Sequence, residues 1–233
     1  MTVAIVGFGR FGRLLKTILD KEHQVVTFDS DTPLDTLHDC EHVFLCVPIR
    51  LLETTLHKIT PYLAPHTTVI DTCSVKVYPV ACMQRLLPKN IAIIATHPLF
   101  GPDSYREEYT NRIMMHPIRQ FTDSYLYWRQ FFNDAGIETI EITPDEHDRF
   151  AARSQGITHL LGRVLQHMNI VATPIDTLGF ERLLSTMNQT CNDSWELFYD
   201  LQRFNPYTQS LVDEITNSLK QVTQQTTAVD PAK

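Results

Sequence analysis

The strongest constraint on the fold is the alternation of short apolar runs with helical patterns over residues 1–142. The apolar runs include VAIV, QVVTF, VFLCV, TTVI, IAIIA and IETIEI. Helical patterns such as FGRLLKTIL and LLETTLHKI separate several of these runs. This alternation predicts βαβ units, and strands that are apolar throughout fit a sheet covered on both faces. We therefore predict an α/β, doubly wound and mostly parallel sheet.

Strand patterns stop at residue 143, where helix signals begin. Thr143 and Glu146 form a capping-box pattern, and Pro144 suits the first helical position. Thr173-Pro174 repeats the start signal and predicts one long apolar helix through Leu201.

A third helix is predicted after Asn205-Pro206. We expect a dinucleotide-binding domain at 1–142, a helical substrate and dimerisation domain at 143–225, and a disordered polar tail at 226–233.

Charge and cysteine usage exclude several classes of protein. The formal net charge is −7 with no basic stripe, so we expect neither nucleic acid nor an anionic membrane as a partner. No apolar run reaches the ~18 residues of a membrane-spanning helix, and a strand pattern at residue 3 predicts no targeting segment before the fold. Five scattered cysteines without metal-ligand spacing favour a reduced cytoplasm and no metal site.

GFGRFG at 7–12 is a GxGxxG motif directly after a predicted strand and at the start of a predicted helix. The first glycine allows the tight turn, the second allows a pyrophosphate to approach the backbone, and the third allows close packing of helix on strand. Free N–H groups at the helix start would face the phosphates. The context predicts a Rossmann-like dinucleotide site, the alternative being a glycine-rich turn without ligand.

Asp29 ends the second strand at the offset of a ribose-binding carboxylate. It would repel a 2′-phosphate, which favours NAD, although NADP stays possible because Arg10 is able to reach a phosphate. The alternative for Asp29 is a turn residue. The candidate cofactor contacts are Gly7, Phe8, Gly9, Arg10, Phe11, Gly12, Asp29, Ser30, Val47, Pro48 and Thr72.

A bound nicotinamide implies hydride transfer, which needs a group that accepts the hydroxyl proton. No lysine lies between Lys89 and Lys220, so a catalytic lysine in the helical region is disfavoured. Strand-end loops DTCSVK and THPLFGP instead offer Ser74 and His97, with the proline-rich turn after His97 holding its imidazole. The alternative is a structural histidine in a turn.

A polar stripe follows in the first predicted helix of the second domain. Gln155, His159 and Arg163 are spaced i, i+4, i+8 and share one face. Spacing alone leaves a solvated face and a substrate-binding face equally open.

DTCSVK, THPLFGPDS, EHDRFAARSQGITHLLGRVL and the segment 173–205 resemble the prephenate/arogenate dehydrogenases of tyrosine biosynthesis, most closely the arogenate type. The resemblance implies hydride transfer from a cyclohexadienol to NAD(P), loss of carbon dioxide and aromatisation. It also implies a homodimer through the helical domain.

The resemblance implies that His97 takes the ring-hydroxyl proton, that Ser74 helps to hold the hydroxyl or the histidine, and that His159 binds substrate. Arg163 and Arg153 are candidates for a substrate carboxylate on charge grounds alone. Many prephenate-type members carry an arginine on the second long helix, and this chain has none around Met187–Asn188. That absence favours arogenate over prephenate.

Two other classes remain open at this point. One is a different small dehydrogenase acting on a hydroxy acid or an imine, against which the lysine gap and the HPLFGP loop argue. The other is a non-enzymatic NAD-binding dimer, which would need neither Ser74 nor His97.

Overall fold

The computed structural model describes residues 1–108, 110–121 and 123–227. The chain divides into two compact units, Met1–His147 and Asp148–Lys233. Residues 228–233 of the predicted tail lie outside the described residues.

The described part of the first unit forms one seven-stranded sheet in the order β2-β1-β3-β4-β5-β6-β7. The strands are β1 Thr2–Val6, β2 Gln24–Phe28, β3 His42–Leu45, β4 Thr68–Asp71, β5 Ala92–Pro98, β6 Asn111–Arg119 and β7 Ile137–Glu141. The helices of this unit are α1 Arg10–Leu19, α2 Leu52–Ile59, α3 Val77–Leu86 and α4 Ser124–Asp134, and α5 Pro144–Ala151 crosses into the second. Strands β2, β1, β3, β4 and β5 are parallel neighbours, so their carboxyl ends share one edge of the sheet.

Strand β6 was missed from the sequence, and it changes the position of His97. It runs antiparallel to β5 and pairs Thr96 with Met115, His97 with Met114 and Pro98 with Ile113. The prediction that His97 lies in a loop after the strand is therefore wrong. Pairing with β6, rather than the proline-rich turn, carries the strand through Pro98.

The second unit contains the end of α5, a π-helical turn at Ala152–Gly156, α6 Ile157–His167, α7 Leu178–Cys191, α8 Trp195–Phe204 and α9 Thr208–Thr227. The predicted capping box at the start of α5 is confirmed, since Glu146 N–H donates to Thr143 Oγ1 and Thr143 N–H donates to Glu146 Oε2.

The prediction of one long apolar helix after Thr173 is wrong, because the chain breaks between Cys191 and Trp195. Ser194 caps the new helix by accepting a hydrogen bond from Leu197 N–H at 3.2 Å. A side chain that caps a helix start competes with helix continuation, which apolar periodicity does not reveal.

An aromatic cluster at the amino-terminal end of β3 holds His42 as a neutral imidazole. His42 is 7% exposed, and its Nδ1 accepts a hydrogen bond from the Trp128 indole N–H at 3.1 Å. Burial is the main cause that lowers the pKa of His42 from 6.5 to about 4. A protonated His42 would lose this hydrogen bond because its Nδ1 would become a donor.

We expect His42 to make folding stability depend on pH. Its contribution is complete above pH 6.5 and is lost as the pH falls from 6.5 towards 4, because the unfolded chain binds the proton more tightly. The total is about 3 kcal/mol at 1.36 kcal/mol per pKa unit. Urea unfolding of His42→Asn should show a shallower loss between pH 6.5 and 4. His38→Asn, at an exposed histidine, is the matched control, and equal slopes in both variants would contradict the assignment.

Candidate active site

The glycine loop after β1 has the geometry of a pyrophosphate cradle. Gly7 has φ +96°, and a Cβ there would overlap the backbone of Cys46. A Cβ on Gly12 would overlap the Gly7 carbonyl, whereas a Cβ on Gly9 would meet no heavy atom within 4 Å. The turn therefore requires Gly7, and the packing of α1 on β1 requires Gly12. Gly9 leaves open space over the loop. Helix α1 begins next to Gly9 without a side-chain cap, as an anion-binding helix start requires.

The other predicted cofactor contacts lie at the same edge of the sheet. Asp29 is exposed directly after β2, and its Oδ1 accepts the Ser30 N–H at 2.9 Å. Arg10 forms an ion pair with Asp103 at 2.6 Å.

Five further predicted cofactor contacts complete the set. Phe8 and Phe11 lie in the glycine loop and the first turn of α1, and Val47 and Pro48 follow β3. Thr72, after β4, donates its hydroxyl to the Leu45 carbonyl at 2.8 Å.

A buried ion pair joins the carboxyl ends of β4 and β5. Lys76 and Asp71 are both 0% exposed, and the Lys76 ammonium donates to the Asp71 carboxylate and to the Thr96 carbonyl. Asp71 also accepts the backbone N–H groups of Cys73 at 3.2 Å and Thr96 at 3.3 Å. This network fixes the loop that carries Ser74, which is half-buried, against the strand that carries His97.

His97 is buried and contacts a second histidine. Its Nδ1 lies 2.7 Å from Nε2 of His147, with the two rings nearly perpendicular at 76°. Burial, followed by the proximity of His147 and Lys76, lowers the pKa of His97 well below its ordinary 6.5. The imidazole is therefore neutral at pH 7 and has the protonation state that a proton acceptor needs.

His159 and Arg163 lie side by side on α6 and are both buried, so the alternative of a solvated face does not apply to them. His159 Nε2 is 4.0 Å from an Asp193 carboxylate oxygen, and burial lowers the pKa of His159 while Asp193 opposes that shift. Arg163 donates to the Asp193 carbonyl at 2.5 Å and lies 4.3 Å from the Trp195 ring centroid.

The two remaining candidates lie in the π-helical turn. Gln155 is half-buried, and its Oε1 is buried without a hydrogen-bond partner among the described residues. Arg153 is exposed and forms an ion pair with Glu214 at 2.6 Å. Arg153 and Arg163 are thus both engaged within their own unit, Arg153 by a carboxylate and Arg163 by the Gln166 amide oxygen and the Asp193 carbonyl.

Sequence reasoning missed Asp71, Lys76 and His147. Asp71 and Lys76 stand at the two ends of the DTCSVK loop, and an acid and a base that flank a strand-end turn were a usable signal. His147 had no such signal, because only the tertiary fold brings it to His97 across 50 residues.

Two further features of the described chain bear on function. No group of three or more candidate metal-ligating side chains comes together within the described ranges. None of the helices in the described part of the chain combines the length and the apolarity needed to cross a membrane.

The fold and the glycine loop define an α/β nucleotide-binding unit of Rossmann type that is followed by a helical unit. Residues 16–115 match the family described as "Prephenate dehydrogenase, nucleotide-binding domain", and residues 164–229 match "TYRAAT1-like, C-terminal domain". Residues 16–115 are thus similar to the nucleotide-binding domain of the prephenate dehydrogenase family. The resemblance to the prephenate/arogenate dehydrogenases is confirmed.

Curated relatives show the same similarity, and a solved structure shows the same fold. Arogenate dehydrogenase 2, chloroplastic, of Arabidopsis thaliana is 33% identical over 88% of this chain, and arogenate dehydrogenase 1 is 35% identical over 88%. The chain spans 64% of the first relative's length and 36% of the second's. A crystal structure of prephenate dehydrogenase from A. aeolicus, in complex with hydroxyphenyl propionate and NAD+, superposes with a TM-score of 0.76 at 18% identity. That match covers 96% of this chain and 90% of the other.

Proposed function

We propose that the chain is an NAD-dependent dehydrogenase of tyrosine biosynthesis that converts arogenate, or prephenate, to the aromatic product with loss of carbon dioxide. The observation that carries this proposal is a buried, neutral His97 on β5, at the sheet edge where β1 opens into the glycine loop. The kinship to enzymes named arogenate dehydrogenase supports the substrate class.

Each candidate residue has a defined task in this proposal. The glycine loop and the start of α1 hold the pyrophosphate, and Asp29 accepts hydrogen bonds from the adenosine ribose. His97 takes the proton of the ring hydroxyl at Nε2, and Ser74 orients that hydroxyl or the imidazole. An oxidised nicotinamide, when bound, accepts the hydride. His159 and Arg163 bind the substrate's polar groups.

The test is an assay of both substrates against both cofactors. Purified chain is mixed with arogenate or prephenate and with NAD+ or NADP+, and the reduced nicotinamide and released carbon dioxide are measured. We expect turnover with at least one cyclohexadienol, with arogenate and NAD+ as the preferred pair. Absence of turnover in all four combinations would contradict the proposal, and cofactor binding without turnover would favour the non-enzymatic alternative.

The cofactor preference is expected to depend on Asp29. Asp29→Ser removes the carboxylate that repels a 2′-phosphate, so the ratio of kcat/KM for NAD+ over NADP+ should fall. Asp31→Ser is a matched control, because it removes a neighbouring exposed carboxylate from the same turn. A wild-type chain that prefers NADP+, or an unchanged ratio in Asp29→Ser, would contradict this assignment.

We also propose a homodimer formed through the helical unit. Large apolar side chains are exposed along α6, α7 and the segment between them, namely Leu161, Val164, Met168, Val171, Ile175 and Leu178. Ile175 is 89% exposed, and exposed large apolar side chains in such number are typical of a protein–protein interface. Sedimentation equilibrium should give about twice the mass of one chain, and a monomer at micromolar concentration would contradict the proposal.

The cytoplasm is the compartment that we propose. All five cysteines are free, as a reducing compartment requires. The two Arabidopsis relatives are named chloroplastic, so fractionation of the source cells is the measurement that decides between these compartments.

A further inference from the structure

The contact between His97 and His147 has a consequence for the proton on each ring. Nδ1 of His97 and Nε2 of His147 are 2.7 Å apart, which is a hydrogen-bond distance, and both side chains are buried. One of these two nitrogens must carry a proton and the other must accept it. The contact therefore couples the tautomer of His97 to that of His147.

Only one of the two arrangements suits a base. If His147 donates, a neutral His97 carries its own proton on Nε2 and has no lone pair there. If His97 donates from Nδ1, its Nε2 is free to take a proton from a hydroxyl. After that transfer both nitrogens of His97 carry protons, and the same Nδ1–H still donates to His147.

The local structure holds His147 in the required position. Thr96, next to His97, pairs with Met115 on β6, and Met115 pairs with Glu141, the last residue of β7. The capping box of Thr143 then starts α5, and His147 N–H donates to the Thr143 carbonyl at 2.9 Å in the first turn. Backbone pairing across three strands thus fixes the backbone positions of both histidines, and the contact at 2.7 Å joins their rings.

We propose that His147 is a positioning residue, whose Nε2 accepts the Nδ1–H of His97 and so holds the tautomer with a free Nε2. The proposal rests on the proposed function, in which His97 takes the hydroxyl proton.

An imidazole partner differs from the carboxylate that orients histidine in many hydrolases. A carboxylate stabilises the imidazolium and raises the histidine's pKa, whereas the proximity of His147 lowers the pKa of His97. The buried ion pair of Lys76 and Asp71 lies at the neighbouring strand ends, and α5 itself carries Asp145, Glu146, Asp148 and Arg149 around His147. Because burial, His147 and Lys76 all lower its pKa, His97 stays deprotonated below its ordinary 6.5 and releases its proton readily after each turnover.

The first test measures the tautomer without any turnover. In chain labelled with ¹⁵N-histidine, the ring shifts of His97, assigned with His97→Asn, should report a proton on Nδ1 and a lone pair on Nε2. His147→Leu should lose that preference. A wild-type His97 that carries its proton on Nε2 would overturn the proposal. An inactive chain with the expected tautomer would contradict the proposed function alone.

The second test uses two substitutions of different chemistry. His147→Gln retains an acceptor oxygen near Nε2 and should keep kcat within a few-fold, whereas His147→Leu should lose at least about 10-fold in kcat with KM nearly unchanged. His147→Glu places a carboxylate against His97 and should move the acid limb of kcat/KM to higher pH. His167→Leu, at an exposed histidine of α6, is the matched control. Equal losses in the Gln and Leu variants, with an unmoved acid limb in the Glu variant, would overturn the positioning role.

Discussion

His97→Asn is expected to lower kcat by about 10²–10⁴-fold, the usual contribution of a general base. The asparagine keeps a polar group near the position of Nδ1 and loses the Nε2 lone pair that takes the proton. The dissociation constant for NAD+ should stay nearly unchanged, because the glycine loop after β1 supplies the proposed cofactor contacts. Steady-state kinetics and calorimetric titration with NAD+ give the two quantities.

The pH profile gives an independent check of the same residue. His97 must be neutral to accept a proton, and its pKa lies well below 6.5 because of burial, His147 and Lys76. The acid limb of kcat/KM should therefore fall below pH 6.5 in the wild-type chain. His57→Asn, at an exposed histidine of α2, is the matched control and should leave both kcat and the profile unchanged. An unchanged kcat in His97→Asn would remove His97 from the mechanism.

Lys76→Met is expected to reduce the free energy of unfolding by about 3–5 kcal/mol, the usual cost of removing one partner of a buried ion pair. Both side chains of the pair are 0% exposed, so water cannot replace the lost ammonium around Asp71. The Thr96 carbonyl loses a donor at the same time. Urea unfolding at pH 7 with activity assays on the same samples would measure the effect.

The pH dependence of the variant separates charge from packing. Burial raises the pKa of Asp71, and without Lys76 only two backbone N–H groups oppose that shift. A raised folded-state pKa contributes stability at low pH that is lost as the pH rises, so Lys76→Met should recover stability when the pH falls from 7 towards 5.

Two further variants complete the experiment. Asp71→Asn combined with Lys76→Met removes both charges and should be more stable at pH 7 than Lys76→Met alone. Lys16→Met breaks a partly exposed pair with Asp20 and should cost no more than about 1 kcal/mol. If Lys76→Met lost no more unfolding free energy than Lys16→Met, the stabilising role of the buried Lys76–Asp71 pair would be contradicted.

Local patterns were sufficient for much of the fold. The apolar runs predicted β1 to β5 and β7, and the Thr143 capping box and the GFGRFG motif placed two helix starts. Strand β6, NRIMMHPIR, was missed because it contains a proline and no regular alternation, and its pairing with β5 is a long-range event. Helices α7 and α8 were predicted as one helix. The Ser194 side chain caps the start of α8 and so ends helix continuation there, and the spacing of apolar residues does not show this.

The same division holds for the candidate site. Features that depend on short-range spacing could be predicted from the sequence. They are the glycine loop after the first strand, Asp29 after the second strand, and His97 as the proton acceptor in a region without lysine. The surroundings of that histidine were decided by tertiary structure. Its position inside β5, the ion pair of Asp71 and Lys76 beside it, and the imidazole of His147 at 2.7 Å all depend on strand pairing. Residues 50 positions apart carry no shared local signal, so only the folded sheet, which brings their backbones together, determines that His97 is buried, neutral and oriented.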